Sequence, residues 1–360
     1  MWVYYMLLLV PLVIQHVAVK EYSVIEVQKK NQRALFFFFA LMTLLVALRH
    51  ASVGNDTNNY IYFFEYFSKL SWKQCVKETQ ELGYVAFNKI VSSFTDEPQV
   101  FFAITAIVTG VMMYPTYKRL CPDPSLTIVL YVTMSTFVMM FSGIRQMLAI
   151  GIGIVAYECT RNKKIIPFIL CVAAAMTFHT SAFMLAFMYP LYHVRITKKG
   201  LLAVIPVLAV VFAFNTQIFS ALALILEQFT RYDTDIEQTG AYTMLILFAL
   251  FAVFAFLIPE ESLLDEETIG LRNFLLLSVV LQMFAPLHTI AMRMNYYYII
   301  FIPLVLPKII AARSKRWEEI AVAARHFMVV FFLLYFFYNA YMGDNNLHVF
   351  PYRFFWEGVR

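Results

Sequence analysis

The sequence predicts an all-α, polytopic membrane protein with about 12 transmembrane helices and an amphipathic segment on the outer face. Hydrophobic residues make up 61% of the 360 residues, charged residues make up only 14%, and the mean hydropathy is +0.69. Soluble domains rarely contain more than about half apolar residues. Since no polar stretch is long enough for a separate soluble domain, we expect a single integral membrane domain over residues 1–360.

Twelve apolar runs supply the predicted spans, since a helix that crosses a membrane needs roughly 20 residues. They cover residues 1–19, 34–48, 98–117, 125–141, 146–160, 165–178, 181–194, 201–226, 241–258, 271–287, 296–310 and 325–342. Basic residues such as Lys20 and Lys29 follow the first run instead of preceding it. This order is not that of a cleaved signal peptide, and it places the N-terminus outside the cell.

The distribution of basic residues fits alternating loops that start from an external N-terminus. Of the 28 Lys and Arg residues, 18 fall in the predicted inner loops, as the positive-inside rule requires. Lysines flank the stretch 165–194 on both sides, so we expect this stretch to cross twice, with His179 at the outer turn. A single long helix is the alternative. With two crossings here, the C-terminus also lies outside.

The long outer segment 49–97 is predicted to be amphipathic rather than disordered. Aromatic side chains are concentrated between residues 60 and 72, and Asp56-Thr57 just before them is a helix N-cap signal. We expect a helix at residues 58–72 to lie in the membrane interface with its aromatic rings at headgroup level. A second helix, from about Leu82 to Phe94, leads back to the membrane.

Arg145 and Gln146 begin the fifth predicted span, directly after a Ser-Gly break. The N-terminus of a helix exposes N–H groups and a partial positive charge, and an arginine adds a rigid fork of donors that suits phosphate. Gly143 permits a close approach of a ligand or another backbone. The alternative is an interfacial arginine whose charged end reaches water.

Three other polar residues fall on the same predicted face. His179 lies between two short helices, where a neutral imidazole serves as a general base or simply completes the turn with a hydrogen bond. Asp56 has three possible roles, as a helix cap, as the partner of an arginine or as a base. Arg49 ends the second span. In the outer loop 227–240, Tyr232 and two aspartates are either sugar contacts or solvated loop residues.

Arg293 begins the eleventh predicted span, in Met292-Arg293-Met294-Asn295-Tyr296. It repeats the arrangement at Arg145, because an arginine again stands beside a polar residue at the start of a helix. Two arginines at two helix N-termini that face one compartment would form a clamp for a diphosphate. The alternative is again an arginine that reaches water at the interface.

Several classes of protein are excluded by missing motifs. The chain has no Walker A sequence, no GxSxG and no HExxH, and its four cysteines have no metal-ligand spacing. The basic residues are scattered at span ends, which is not the pattern of a nucleic-acid-binding protein. No charged residue falls in the middle of a predicted span, where ion and proton relays need one.

Four motifs in sequence order resemble the EpsG family of bacterial envelope proteins, which is grouped with the Wzy-type polysaccharide polymerases. The motifs are Arg49-x4-Gly54-x-Asp56-Thr57-x2-Tyr60, Ser142-Gly143-Ile144-Arg145-Gln146-x2-Ala149, Phe178-His179-x-Ser181-Ala182 and Arg293-x2-Tyr296. The resemblance covers most of the chain, and the four motifs together are more specific than any one alone.

The resemblance implies a glycosyltransferase in the bacterial cytoplasmic membrane that needs no metal or other cofactor. Its substrates would be oligosaccharide repeat units on undecaprenyl diphosphate, polymerised at the outer face into an exopolysaccharide, a capsule or an O-antigen. Membrane lipids, a flippase and a chain-length regulator would be its partners. We expect His179 and Asp56 to be catalytic. The expected substrate-binding residues are Arg145, Arg293, Arg49, Gln146, Tyr296 and Tyr60.

Three other functions remain open at this point. A lipid-linked glycan ligase or another outer-leaflet transferase would use the same face but make no polymer. A flippase or transporter would need charged residues or broken helices near the middle of the membrane. A scaffold for an export complex would tolerate replacement of the outer arginines and of His179.

Overall fold

A computed structural model of the chain describes residues 2–16, 24–78, 81–134, 136–225, 239–342 and 348–358. The structure is 82% helical, and the described residues form two isolated β-bridges but no strand, which confirms the predicted all-α class. The α-helices are α1 (Trp2–His16), α2 (Val24–Ala47), α3 (Thr57–Lys69), α4 (Trp72–Glu78), α5 (Leu82–Ser92), α6 (Pro98–Leu120), α7 (Pro124–Thr133), α8 (Thr136–Ser142), α9 (Ile144–Arg161), α10 (Ile165–Phe178), α11 (Met188–His193), α12 (Lys198–Ala213), α13 (Asn215–Ile225), α14 (Thr239–Leu257), α15 (Glu266–Gln282), α16 (Thr289–Ile299), α17 (Ile302–Ala311) and α18 (Glu318–Met342).

Several of these helices can cross a membrane by length and composition. Glu26–Ala47, Pro98–Leu120 and Lys315–Met342 qualify as single helices, and α7–α8, α12–α13 and α16–α17 qualify as bent pairs. Three shorter apolar helices, Trp2–Gln15, Ile165–Phe178 and Ala241–Leu257, add to this set. The chain is therefore a polytopic helical membrane protein, while the number of twelve crossings and the sidedness of the loops stay predictions.

Some predicted runs are interrupted in the structure. The run 296–310 divides into α16 and α17, which bend by 42° where Pro303 stands at the start of α17, because proline lacks an N–H and clashes with the preceding turn. The run 201–226 divides into α12 and α13, with a bend of 71°. The run 181–194 is a 3₁₀ helix, Thr180–Phe187, followed by α11. Most of the predicted outer loop 227–240, including Tyr232, lies outside the described residues.

The chain divides into two compact units. The first comprises Met1–Phe183 with Ala324–Arg360, and the second comprises Met184–Ala323. In the first unit α2 packs against α1 and α6, and α9 packs against α6 and α10. In the second unit α15 packs against α11, α14 and α16.

The predicted amphipathic segment forms three helices, α3, α4 and α5, in the first unit. One side of α3 is buried through Tyr60, Phe64 and Phe67, which join a hydrophobic cluster that includes side chains of α5, α6 and the first turns of α9. Tyr62 and Trp72 remain exposed. The segment therefore packs its apolar face on protein, and the contact of its exposed aromatic residues with lipid stays a prediction.

The loop before α3 is fixed by the C-terminal segment 348–358 and by the end of α8. Backbone hydrogen bonds of 2.9 Å join His50 N to Arg353 O and Gly54 N to His348 O. Gly54 has a φ of +93°, and a Cβ there would lie 2.9 Å from the carbonyl oxygen of Phe141. Glycine fits this left-handed conformation and this close approach, so the loop lies directly against the residues that lead into α9.

Candidate active site

Arg145 is the second residue of α9, and Gly143 is the N-cap, which confirms the predicted helix start. The guanidinium is about one-third exposed and lies 5.7 Å from the centroid of the Tyr84 ring. Gln146, the next residue, is buried. The corner before α9 also receives the loop that precedes α3, because Asn55 N donates to Ser142 Oγ over 3.1 Å and the Tyr60 hydroxyl donates to Ser142 O over 3.3 Å.

A single carboxylate joins Arg145 to His179. Arg145 Nη1 lies 2.5 Å from Glu81 Oε2, and His179 Nδ1 lies 2.9 Å from Glu81 Oε1. The backbone N–H of Thr180, at the start of the 3₁₀ helix, also donates to Glu81 Oε1 over 3.3 Å. Two of the predicted site residues, Arg145 and His179, are thus brought together by Glu81, which no sequence motif indicates.

The Glu81 carboxylate is ionised despite its burial. Its side chain is only 10% exposed, and this burial opposes ionisation. The hydrogen bond with His179 and the positive charge of Arg145 outweigh the burial, so the pKa of Glu81 lies below its ordinary value. The cluster therefore holds a fixed negative charge between two basic side chains.

Close packing of α5 against α10 brings Glu81 to His179. Glu81 is the N-cap residue of α5, and His179 is the C-cap residue of α10. A Cβ at Gly83 would lie 2.2 Å from Thr177 Oγ1 and 3.0 Å from the ring of Phe178. Only a residue without a side chain fits between the two helices here, so Gly83 sets the spacing that the hydrogen bond to His179 requires.

Asp56 occupies the N-cap position of α3, as the sequence predicts, but its side chain makes no capping hydrogen bond. The residue is half-buried. Since its carboxylate is not used for the helix end, the capping interpretation does not account for this side chain. Its role as a base stays a prediction.

Arg49 follows the end of α2 and is fully buried. Its guanidinium carbon lies 4.3 Å from the ring centroid of Phe102 and 5.7 Å from that of Phe141, and Nη1 donates to Val46 O over 3.0 Å. Cation–π contacts of this kind stabilise a desolvated guanidinium. In this position Arg49 supports the loop before α3, and a contact with substrate stays a prediction.

Arg293 and Tyr296 belong to the second unit, on α16. The helix begins at Thr289, because the Nδ1 of His288 caps it by accepting from Ile290 N over 3.0 Å. Arg293 therefore lies in the second turn and not at the helix start, which corrects the sequence prediction. Arg293 is exposed and Tyr296 is buried.

A buried polar network fixes α16 beside α15. Asn295 Nδ2 donates to Gln282 Oε1 and to Ser278 O, each over 3.0 Å, and Ser278 Oγ lies 2.8 Å from Asn295 Oδ1. Polar groups in an apolar interior need such partners. The network thereby anchors the helix that carries Arg293.

Glu81 is the functional candidate that sequence reasoning missed. An acidic residue before an amphipathic helix is usually a solvated cap, and no motif links it to Arg145 or His179. The available signal was its position directly before Leu82-Gly83, where a glycine near a helix start indicates close helix packing. In the described part of the chain, no three His, Cys, Asp or Glu side chains are grouped closely enough to hold a metal ion.

The model of the EpsG family matches residues 33–354, nearly the whole chain. No curated protein and no solved structure matches the chain significantly.

Proposed function

The chain belongs to the EpsG family, and from this premise we propose that it polymerises lipid-linked oligosaccharides into a polysaccharide. It is a membrane protein of polysaccharide biosynthesis. The proposed substrates are repeat units on undecaprenyl diphosphate at the outer face of the bacterial cytoplasmic membrane. The product is an exopolysaccharide, a capsule or an O-antigen, and the proposed partners are membrane lipids, a flippase and a chain-length regulator.

In the proposed reaction, a hydroxyl of a new lipid-linked repeat unit attacks the anomeric carbon of the growing chain. A carbon–oxygen bond forms between the two saccharides, and the bond from the anomeric carbon to the diphosphate breaks. Undecaprenyl diphosphate leaves with the electron pair. The hydroxyl proton passes to His179 or to Asp56.

The joint position of Arg145 and His179 on the Glu81 carboxylate carries this proposal. The leaving diphosphate gains negative charge in the transition state, so fixed guanidinium groups stabilise the transition state more than the ground state. Arg145 uses Nη1 for Glu81, and a guanidinium has five N–H donors, so donors remain for a diphosphate. From the sequence motifs, Arg293 and Arg49 are further proposed diphosphate ligands, and Gln146, Tyr60 and Tyr296 are further proposed substrate contacts.

The first test uses purified protein in nanodiscs and the undecaprenyl-diphosphate-linked oligosaccharide extracted from membranes of the native host. We expect wild-type protein to form a ladder of polymer without added metal. Arg145→Lys keeps the charge and loses the fork, and we expect it to polymerise about 10²-fold more slowly, as does Arg145→Ala. Arg119→Lys serves as the matched control and retains the wild-type rate, because Arg119 lies on α6 and pairs with Glu158 near the other end of α9.

The product distinguishes the proposal from its competitors. A ladder of increasing chain length supports a polymerase, whereas transfer of one finished glycan to another acceptor indicates a ligase. Two results together would indicate a transporter or a scaffold. The purified protein makes neither product, and its Arg145 and His179 variants restore the polysaccharide yield of cells that lack the protein. Wild-type rates in both Arg145 variants would exclude the diphosphate role of this residue.

A further inference from the structure

We infer that Glu81 is a positioning residue that makes His179, and not Asp56, the base of the reaction. This inference rests on the polymerase function proposed above. It depends on three features of the cluster: which atom of His179 faces Glu81, what keeps Glu81 ionised, and which nitrogen of His179 is left to accept a proton.

The hydrogen bond between Glu81 and His179 fixes the tautomer of the imidazole. An ionised carboxylate only accepts hydrogen bonds. Since Glu81 Oε1 lies 2.9 Å from His179 Nδ1, Nδ1 carries the proton. In the neutral ring the other nitrogen, Nε2, then has a free lone pair, which is the group a general base needs.

Arg145 and Thr180 also donate to the Glu81 carboxylate. Arg145 Nη1 contacts Oε2, while the Thr180 N–H shares Oε1 with the imidazole. These donors fix the orientation of the carboxylate from two sides, so the imidazole ring is held in one plane. The arrangement has the same logic as a carboxylate that orients a histidine in a catalytic triad.

Proton transfer through this pair is balanced. When the acceptor hydroxyl attacks, its proton moves to Nε2 and the imidazole becomes an imidazolium. Glu81 stabilises that positive charge without itself taking the proton. Loss of the proton from Nε2 to solvent, after the diphosphate leaves, restores the neutral ring for the next cycle.

Asp56 has no comparable support. It stands at the start of α3 without a capping hydrogen bond, and neither of the described ion pairs of the cluster includes it. A neutral imidazole with a fixed tautomer and a neighbouring counter-charge is suited to accept a proton near neutral pH. The geometry therefore assigns the base to His179.

The charged groups around His179 determine how the pH–rate profile of polymerisation changes in variants. Glu81 faces it from the start of α5, and Arg145 faces the other oxygen of Glu81 from α9. Removal of the negative charge destabilises the imidazolium, so the acid side of the pH–rate profile moves to lower pH. Loss of the positive charge of Arg145 has the opposite effect and moves the acid side of the profile to higher pH.

The test compares Glu81→Gln with wild-type protein in the polymerisation assay between pH 5 and 9. We expect about 10²-fold slower polymerisation and an acid limb displaced by roughly one pH unit to lower pH. Glu158→Gln is the matched control, because Glu158 also pairs with arginines but lies near the opposite end of α9. It keeps the wild-type rate and profile.

A second measurement does not depend on activity. Protein labelled with ¹⁵N-histidine in nanodiscs is studied by NMR, and the His179 signals are identified by their loss in His179→Gln. We expect the Nδ1–H tautomer in wild-type protein and in Glu158→Gln. In Glu81→Gln the side-chain NH₂ group can donate a hydrogen bond to His179 Nδ1, which a carboxylate cannot do. We therefore expect the His179 signals to move towards those of the Nε2–H tautomer.

The two measurements separate the inference from the proposed function. Failure of wild-type protein to make polymer overturns the polymerase proposal, while the NMR result still decides the tautomer. Polymer formation with an unmoved acid limb and an unchanged tautomer in Glu81→Gln overturns the role of Glu81. A folded Asp56→Asn variant with no activity, beside a His179→Gln variant with full activity, would assign the base to Asp56 instead.

Discussion

Glu81 determines how the two basic side chains beside it behave. Its carboxylate is almost fully buried, and Arg145 and His179 each contact one of its oxygens. A buried charge of this kind is tolerated only with partners that compensate it. Replacement of either basic residue therefore leaves a buried carboxylate with less compensation, so such variants change stability as well as chemistry.

The pH dependence of stability follows from the depressed pKa of Glu81. Burial opposes that depression, and the bonds with His179 and Arg145 produce it. A depressed carboxyl pKa contributes stability that is present above the unfolded value, about 4.3, and that is lost as the pH falls through the folded value. We expect Glu81→Gln to melt a few degrees below wild type at pH 7, and we expect this difference to narrow below pH 4.

Thermal unfolding of detergent-solubilised protein, followed by intrinsic fluorescence, measures this difference. Glu65→Gln is the control, because Glu65 is exposed on α3, and it should melt like wild type at both pH values. A melting difference between wild type and Glu81→Gln that is the same at pH 7 and at pH 3 would show that the ion pairs of Glu81 contribute nothing.

Single residues were predictable from sequence only where local signals exist. The Ser-Gly break before Arg145 predicts the start of α9, and Asp56-Thr57 predicts the start of α3. Glu81 was not predictable, because its partners come from helices that meet through tertiary packing and not from any spacing along the chain. The burial of Arg49 between two aromatic rings depends on the same kind of packing.

At the scale of elements, the contact between α5 and α10 controls the geometry of the cluster. Gly83 meets Thr177 and Phe178 closely enough that an added methyl group cannot fit without movement. Overpacking of this kind typically costs about 1–3 kcal/mol. We therefore expect Gly83→Ala to lower the melting temperature and to slow polymerisation, because Glu81 moves away from His179.

The double variant Gly83→Ala/Thr177→Ala tests the cause directly. It removes Thr177 Oγ1, which is the nearest atom to the added methyl group, so it should recover part of the lost stability and rate. Gly200→Ala is the control, since a Cβ there meets Thr197 Oγ1 only at an ordinary 3.5 Å. Equal behaviour of Gly83→Ala and Gly200→Ala would show that the helix spacing does not matter.

Elements were predictable in type, but not in number or in where they break. The apolar runs correspond to helices, since twenty apolar residues need an internally hydrogen-bonded backbone in lipid. The bend between α16 and α17 follows from Pro303, which was visible in the sequence. The start of α16 at Thr289 was not, because it depends on the side chain of His288 as an acceptor, and histidine is a rare N-cap.

At the scale of the whole molecule, the composition predicts the fold class but not the division of the chain into two compact units. An apolar content of 61% leaves a helical membrane protein as the expected class. No polar linker in the sequence indicates where the two units divide. The first unit is Met1–Phe183 with Ala324–Arg360, and the second is Met184–Ala323. The first unit contains the Glu81 cluster, whereas Arg293 belongs to the second.

The proposed function requires a defined sidedness of the chain in the membrane. The proposal places the start of α9 and the amphipathic segment outside, and the turn after α9 inside, as the Lys and Arg distribution predicts. Asn58 on α3 and Lys163 after α9 are both exposed, so single cysteines at these two positions report on the two predicted sides. The four native cysteines, Cys75, Cys121, Cys159 and Cys171, are first replaced by serine or alanine, and polysaccharide synthesis in cells checks that this background functions.

A membrane-impermeant maleimide should label Asn58→Cys in intact spheroplasts and Lys163→Cys only after the membrane is opened. Arg293→Cys should behave like Asn58→Cys, because a diphosphate held by both Arg145 and Arg293 requires the two arginines to face one compartment. Labelling of Lys163→Cys in intact spheroplasts would reverse the orientation of the first unit. If Arg293→Cys reacts only in opened membranes, Arg293 faces the other compartment and is not a ligand of the proposed diphosphate.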